Sequence, residues 1–394
     1  MRAKLDVKYK QSATPLETDL DSDKLETTSS SYEAKKEGAT MPSRDTFSFS
    51  FRGPDLQSNG HEGTEKAKQT KSTPNATPPS RDPASLKNIS NPHVRTILDK
   101  MMKEDGFAYK AWDGGTSHPV LDSLKRVAVV LVGKINQESY QNATKEVFEG
   151  MEACGASAYF SDSESKHKRG KFPAVNVGIS LGPGGTKPMR VSVGGHGPMM
   201  QRLIDNKHVQ RLASHQDASF KFWQPKLYKH YSDMMVKLRG RNPTLRKNFP
   251  RSVFASMAFN FPPHVYTHRH RDVRNLPYGM CAVHALGNFD PTAGGHLILW
   301  ELKLIIEFPP GCMVLLPSAT ITHSNVPVAV GQKRASITQY TAGSLFRHVD
   351  NGFTTDAALK ASNKARFEVH SAARLCRWEK GLNMWSKYVD GKII

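Results

Sequence analysis

The spacing of apolar residues changes character three times along the chain. Residues 1–90 show almost no period, with Leu, Ile and Val sparse among Ser, Thr, Pro, Lys, Asp and Glu. Such a stretch lacks the apolar surface to offset its ordering entropy and is expected to be a disordered Ser/Thr/Pro-rich tail. Its one patterned piece, Phe47-Ser-Phe-Ser-Phe51, alternates like a strand but stands alone. From 91 to 250 the periods mix. Val94–Met102 reads as a short helix and Gln141–Met151 as another that ends near Gly155. Arg126–Val132 is a continuous β-branched run, hence a buried strand, and Asn176–Leu181 is a second strand closed by Gly182-Pro-Gly-Gly185. Neither Lys-Ser/Thr nor a helix start follows those glycines, so they read as a turn and not a phosphate loop. Pro198 to Gly240 reads as two helices, one with Met200, Leu203, Ile204 and Val209 on a face, the other with Phe222, Leu227, Tyr231, Met234, Met235 and Leu238.

From 251 to 350 the pattern becomes short strands punctuated by Pro-Pro, Gly-Asn, Gly-Gly and Pro-Gly. Candidate strands are 253–261, 265–270, 280–286, 296–308, 313–317 and 335–341. Many short, evenly spaced strands argue for a sandwich or jelly roll. After 351 the chain returns to helix, at 357–378 and 382–388. The expected fold class is α+β: a double-stranded β-helix (jelly-roll) core at 251–350, an α/β preface at 91–250 packed on it, and C-terminal helices at 351–394.

Charge adds a partner class. Of a net charge of +19, residues 1–95 supply only +2, from 15 basic and 13 acidic side chains, so +17 sits on the part that should fold. This excess favours a polyanion, nucleic acid before an acidic membrane. Lys237, Arg239, Arg241, Arg246, Lys247 and Arg251 put six positive charges into 15 positions. That basic segment, 237–251, is either a solvated face or a patch that tracks phosphates. Lys166-His-Lys-Arg-Gly-Lys171 reads as a weak nuclear-import signal or a solvated loop. No apolar run approaches the roughly 20 residues that span a bilayer, so no membrane partner is expected. The N-terminal residues lack an apolar signal core, which points to cytosol or nucleus. The four cysteines, Cys154, Cys281, Cys312 and Cys376, form no CxxC pair and suggest neither a disulfide framework nor a zinc knuckle.

The chemistry concentrates in the strand region. His270 and Asp272 are two apart and so point to one side of a strand. With His323 from a distant strand they make two imidazoles and one carboxylate, the facial triad that binds Fe(II) and leaves positions open. Arg334 follows His323 by 11 positions, with Ser336 on the same strand face. A guanidinium there suits the far carboxylate of 2-oxoglutarate, which it grips in a bidentate way that Lys does not copy. His268 alternates with His270 and competes as a ligand, but Asp272 makes His270 the better choice. His264 and His284 read as ordinary residues. His296, after Gly294-Gly295, either reaches a cofactor carboxylate or satisfies a core hydrogen bond.

One stretch carries a family resemblance. Thr267-His-Arg-His-Arg-Asp-Val-Arg-Asn275, followed by Gly279-Met-Cys-Ala-Val283, resembles the TET/JBP family of nucleic-acid dioxygenases, which includes the methylcytosine oxidases and the base-J thymine hydroxylases. Gly294-Gly-His-Leu-Ile-Leu-Trp-Glu-Leu302 and Phe308-Pro-Pro-Gly311 are similar in style to fungal members. The resemblance covers roughly residues 250–350. It implies that His270, Asp272 and His323 bind Fe(II), that Arg334 and Ser336 hold 2-oxoglutarate with His296 as an added contact, and that O2 is the second cosubstrate. It also implies that Asn275 reads the edge of a base flipped out of double-stranded DNA and that Tyr340 lies near that base. There are three departures. Ala342 stands where the methylcytosine oxidases have a base-contacting His, Cys-rich zinc segments are missing, and only 50 residues separate Asp272 from His323, with no long insert.

These readings lead to an oxidase of methylated bases in DNA, 5-methylcytosine first, in the nucleus. The same chemistry on RNA, an N-methylated base, thymine or protein is one alternative. A catalytically inactive nucleic-acid-binding module is another.

Overall fold

The computed structural model describes residues 3–7, 47–51, 86–89 and 91–394. The first two segments are strands, β1 (Ala3–Val7) and β2 (Phe47–Phe51), and the rest of the tail expected to be disordered lies outside the described residues. The Phe47–Phe51 strand does not stand alone: it pairs antiparallel with β1.

The preface starts with α1 (Pro92–Lys103), set by Asn91, whose side chain accepts from the amides of His93 and Val94 ahead of a proline at the first helical position. β3 (Ala108–Lys110), β4 (His118–Asp122) and β5 (Val127–Val132) follow, then α2 (Glu138–Ser157), which runs past Gly155. A short helix, α3 (Asp162–Ser165), leads to a small hairpin of β6 (Lys166–His167) and β7 (Gly170–Lys171). β8 (Ala174–Ser180) and β9 (Met189–Arg190) flank the glycine turn, which is a plain turn.

Three helices, not two, fill the next stretch: α4 (Gly197–Asp205), α5 (Lys207–Trp223) and α6 (Pro225–Arg241). Asn206 interrupts the first period because its side chain caps α5, accepting from His208 and Val209. The second break falls at Gln224, whose buried amide bonds the Val127 carbonyl and the Ser386 amide, with Pro225 opening α6.

The core strands are β10 (Ser256–Asn260), β11 (Cys281–Asn288), β12 (Leu297–Leu299), β13 (Leu304–Ile306), β14 (Met313–Leu316), β15 (His323–Asn325) and β16 (Lys333–Tyr340). The run expected as one strand over 296–308 is the β12–β13 hairpin, because Lys303 takes a left-handed φ of 50° and its amide bonds the Trp300 carbonyl. Residues 265–270 are not a regular strand. They join the sheets through isolated bridges, of the adjoining His264 with Arg334 and of His270 with His323, and through the Asn325 amide, which donates to the Thr267 carbonyl. The C-terminal part holds α7 (Gly343–Asp350), α8 (Asp356–Ser362), α9 (Lys364–Leu375), α10 (Arg377–Leu382) and the hairpin of β17 (Tyr388–Val389) and β18 (Lys392–Ile393). The helix expected at 382–388 does not form. There Trp385 bonds the Tyr278 carbonyl and Ser386 bonds Gln224, and these tertiary bonds displace the helical ones.

Among the described residues the strands make one ten-stranded sheet, β2-β1-β4-β5-β14-β11-β16-β10-β8-β9, and one four-stranded sheet, β15-β12-β13-β3. All pairs are antiparallel except β13 with β3. From β10 onward the chain alternates between them: β10 and β11 in the large sheet, β12 and β13 in the small one, then β14, β15 and β16 in turn. The fold is α+β with a large antiparallel sheet.

Side-chain alternation splits each sheet into two faces. Ala335, Ile337, Met257 and Phe259 point outward into a cluster with Tyr140 and Val147 of α2 and Leu212 and Ala213 of α5. On the small sheet, Ile298 and Ile305 point outward against Leu98 and Met101 of α1. Leu297, Leu299, Leu304 and Ile306 point the other way and share a core with Val314, Leu316 and Ala285 of the large sheet. The inner faces therefore meet, and the helices cover the outsides. No described helix is long and apolar enough to cross a membrane.

Candidate functional site

The site is built where the small sheet borrows residues 265–272. The His270 amide donates to the His323 carbonyl (3.1 Å) and the His323 amide donates back (3.0 Å), so the two histidines are opposite partners in an antiparallel pair. Their rings lie 4.2 Å apart between centroids. Each ring is oriented by its own chain: His270 Nδ1 lies 2.8 Å from the His268 carbonyl, and His323 Nδ1 lies 2.9 Å from that of Ile321. A carbonyl only accepts, so each Nδ1 carries the proton and each Nε2 presents a lone pair. Asp272 brings Oδ1 to 3.9 Å from His270 Nε2, with its amide tied to the Ser318 carbonyl at 2.9 Å. One ligand atom from each of His270, Asp272 and His323 lies within 4.8 Å of the others. Burial, then the neighbouring His323, pushes His270 down to about 4, so it is a neutral donor at physiological pH. Two imidazoles, each with Nε2 presented, and the Asp272 side chain fit Fe(II). His268 supplies its carbonyl rather than its ring, which is exposed and stacked on Tyr266.

Arg334 lies on β16 opposite Gly287 and is 1% exposed. Its Nη1 donates to the Val265 carbonyl at 2.8 Å, and its guanidinium carbon sits 6.0 Å from the Phe289 ring and 5.9 Å from that of Phe308. Nε has no hydrogen-bond partner, and no described carboxylate pairs with it. Burial pushes the guanidinium down to about 10, so it stays charged at neutral pH. An unpaired buried cation with unused donors suits an incoming carboxylate. Ser336, two residues on and buried, accepts from Asn260 Nδ2 at 2.9 Å, while Asn260 Oδ1 is buried without a partner. Asn260 belongs to this cleft and was not singled out in the sequence. Its one signal is a polar residue inside Phe259-Asn-Phe261, on the inward side of an apolar strand.

Towards the far end of β16 the inner side chains Thr338 and Tyr340 are only half-buried, as are Val283, His270 and Asp272. The sandwich opens there. Tyr340 donates to Asn176 Oδ1 at 3.2 Å, and burial raises its phenol to about 12. Asn275 donates to Cys281 Sγ (3.1 Å) and Ser318 Oγ (3.2 Å) and is bridge partner to Ala342. The two positions implicated in reading a base are thus neighbours, one an amide and the other a methyl.

His296 joins a different group. It lies opposite Val326 on the face packed against α1, and its Nε2 is 2.9 Å from Tyr109 Oη, which donates to Glu307 at 2.9 Å. Its Nδ1 is buried without a partner, and burial pushes the ring down to about 4. The basic segment 237–251 runs from the end of α6, which packs on α5 and α7, and Arg239 Nε donates to the Leu245 carbonyl at 3.2 Å. All four cysteines are free thiols.

No protein-family description matches the chain, and no curated protein is similar to it. Solved structures are similar to it, and three of them are as follows. NgTET1 in complex with 5mC DNA has 12% identity and a TM-score of 0.42, over 63% of this chain and 90% of that one. An oxidoreductase of the 2OG-Fe(II) oxygenase family from Burkholderia pseudomallei has 15% identity and a TM-score of 0.30, over 55% and 87%. AviO1 from Streptomyces viridochromogenes Tue57 has 13% identity and a TM-score of 0.29, over 56% and 92%.

Proposed function

We propose that this chain is an Fe(II)- and 2-oxoglutarate-dependent dioxygenase that hydroxylates the methyl group of a modified base in DNA, 5-methylcytosine first. The observation that carries the reading is the fully buried, unpaired guanidinium of Arg334 on the inner wall whose open end holds the His270–Asp272–His323 triad. Few structural roles leave a cation in that state, whereas a dicarboxylate cosubstrate completes it. The connectivity supports the fold half of the proposal: strands that alternate between two facing antiparallel sheets describe a double-stranded β-helix.

The residues divide the work. His270, Asp272 and His323 hold iron, and the carbonyls of His268 and Ile321 fix their imidazoles for it. Arg334 pairs with the far carboxylate of 2-oxoglutarate, and Ser336, held by Asn260, adds a hydroxyl beside it. When bound, the metal and keto acid supply the oxidation: O2 and 2-oxoglutarate become CO2 and succinate, with one oxygen atom inserted into a substrate C–H bond. The apolar inner walls exclude water from that step. A methyl inside a duplex is out of reach, so the base is taken out of the stack into the open end, beside Tyr340 and Asn275. The +17 charge of the folded part supports a polyanionic substrate, and DNA as substrate implies the nucleus.

The test is mass spectrometry of nucleosides after incubation with methylcytosine duplex, Fe(II), ascorbate and 2-oxoglutarate, with Asp272→Ala as control. Oxidised cytosines from the unaltered chain alone are expected. Unchanged DNA with succinate formation would move the substrate to RNA, another base or protein. No succinate and no bound iron would leave a binding module.

A further inference from the structure

The basic run Lys166–Lys171, which reads from sequence as a solvated loop or import signal, has a defined place. Its ends pair as β6 and β7, Lys166 with Lys171 and His167 with Gly170, which leaves Lys168 and Arg169 at the tip. The hairpin is seated by backbone on the segment that carries the first metal ligand. The His268 amide donates to the Arg169 carbonyl at 2.7 Å, two residues before His270. Gly170 makes the seat possible, since a Cβ there would lie 2.7 Å from the Tyr266 carbonyl and 2.6 Å from the Phe172 ring. His167 closes the base of the hairpin, with Nε2 3.1 Å from the Phe172 carbonyl.

Arg169 is half-buried, and no described carboxylate pairs with its guanidinium. Its carbonyl is bonded to the His268 amide, so the residue lies beside the segment that carries His270 and Asp272. Some cations nearby are committed: Lys166 bonds Asp162 at 3.1 Å, and Arg269 lies over the Trp300 ring at 4.2 Å. Arg271 and Arg274 are exposed and continue the basic rim past Asp272.

We propose that the Lys166–Lys171 hairpin is the phosphate-binding lip of the site, with Arg169 engaging a backbone phosphate beside the base that enters the cleft. The inference rests on the nucleic-acid reading above and deepens it. The guanidinium fork matches phosphate oxygens, and a group seated on the segment that carries His270 and Asp272 fixes the register of the substrate over them. The hairpin, and not the more heavily charged 237–251 segment, holds the substrate at the site, because the hairpin is bonded to the segment that carries His270, whereas α6 packs on α5 and α7. Arg169 is a positioning residue and does not touch the reacting methyl.

The experiment is fluorescence anisotropy of a fluorescein-labelled methylcytosine duplex with the full chain, without 2-oxoglutarate, from 50 to 200 mM salt. It compares the unaltered chain, Arg169→Gln, Arg169→Lys and the double variant Lys237→Gln/Arg241→Gln. Arg169→Gln should weaken binding about 10-fold and lower the slope of log K against log salt by about one, the signature of one lost phosphate contact. Arg169→Lys should restore most of the slope and only part of the affinity. The double variant should lose less than Arg169→Gln. Unchanged affinity and slope for Arg169→Gln would overturn the lip while leaving a nucleic-acid enzyme in place, as would a double variant that loses as much. An unaltered chain that binds no duplex at any salt would overturn the lip together with the DNA reading. Preference for single-stranded RNA would assign the lip to that polymer's backbone and overturn the duplex version.

Discussion

The buried Arg334 makes an unusual quantitative prediction: removing it should cost little stability and nearly all cosubstrate binding. Taking an unpaired guanidinium out of water costs several kcal/mol. The offsets visible are one charge-assisted hydrogen bond, to Val265, worth about 1.5–3 kcal/mol, and two aromatic faces near 6 Å, worth about 0.5–2 kcal/mol each. The two sides nearly cancel. Arg334→Met, an unbranched apolar side chain that packs well between Phe289 and Phe308, should therefore unfold within about 2 kcal/mol of the unaltered chain, in either direction. Binding behaves differently. A buried carboxylate deprived of its cation loses about 3–5 kcal/mol, which is about two to four decades in Kd. Arg334→Lys should fall between, since it keeps the charge and loses the fork. The assay is calorimetric titration of 2-oxoglutarate into anaerobic Fe(II) protein, paired with denaturant unfolding with and without 2-oxoglutarate. At 100 times Kd the ligand should add about 2.7 kcal/mol to the unaltered chain and nothing measurable to Arg334→Met. A variant that unfolds several kcal/mol more easily yet binds 2-oxoglutarate within about threefold would refute the reasoning, because Arg334 would then be structural.

Three further outcomes follow from the same structure. Asp272→Ala should lose stoichiometric iron, measured by elemental analysis after desalting, because two imidazoles alone make an incomplete site; full retention would mean that another residue is the third ligand. Gly287→Ala should destabilise the chain and weaken 2-oxoglutarate binding together. Gly287 has φ +136°, and a Cβ would lie 2.2 Å from the Lys333 carbonyl and 3.0 Å from the Arg334 Cα, so it would push Arg334 out of place; a variant of ordinary stability and affinity would contradict this. Stability should also fall on acidification. Burial, then Arg211, lowers His215 to about 4, and burial, then His215, lowers His284 to about 3. Both folded values lie below the unfolded one, so from about pH 6.5 downward the unfolded chain takes up protons that the folded chain refuses. The loss should reach at most about 1.4 kcal/mol per pH unit per histidine and end near pH 3–4. Urea midpoints at pH 7.5, 6 and 5 check it, and a flat series would show that these rings are not buried neutral.

What was legible in the sequence follows from the range of the signals. Arg334 and Ser336 share a face because β16 alternates, a local fact that survives any tertiary arrangement. His270 and Asp272 meet without a regular strand, held by the bridge of His270 to His323 and the bond of the Asp272 amide to Ser318. The break of the 296–308 run into a hairpin was not legible, because Lys303 adopts its left-handed turn where the Trp300 amide is held by the carbonyl of Thr322, just ahead of β15. The helix expected after 382 fails for a similar reason, since its polar groups find partners on Gln224 and Tyr278. His296 carries the right residue type after the right glycines, yet its ladder position opposite Val326 turns it to the α1 face, and only the pairing reveals that.

The same limit governs charge. Counting cations along the chain favours 237–251, which holds six, over 166–171, which holds four. A count in sequence measures how many charges a segment carries, whereas function depends on what the segment is docked to. A two-residue hairpin has no period to announce it, and its docking rests on backbone contacts at Arg169 and Gly170 that use no distinctive side chain. Such seats are invisible to residue-type patterns by construction. The one readable trace is Gly170, a residue without a side chain in a run of large cations, at the point where the hairpin meets Tyr266. Gly170→Ala is therefore the sharpest separation of charge from placement: it keeps every cation and forces the hairpin off its seat. Duplex affinity in the anisotropy assay should fall as it does for Arg169→Gln. Affinity equal to that of the unaltered chain would mean that charge alone, wherever it sits, is what binds.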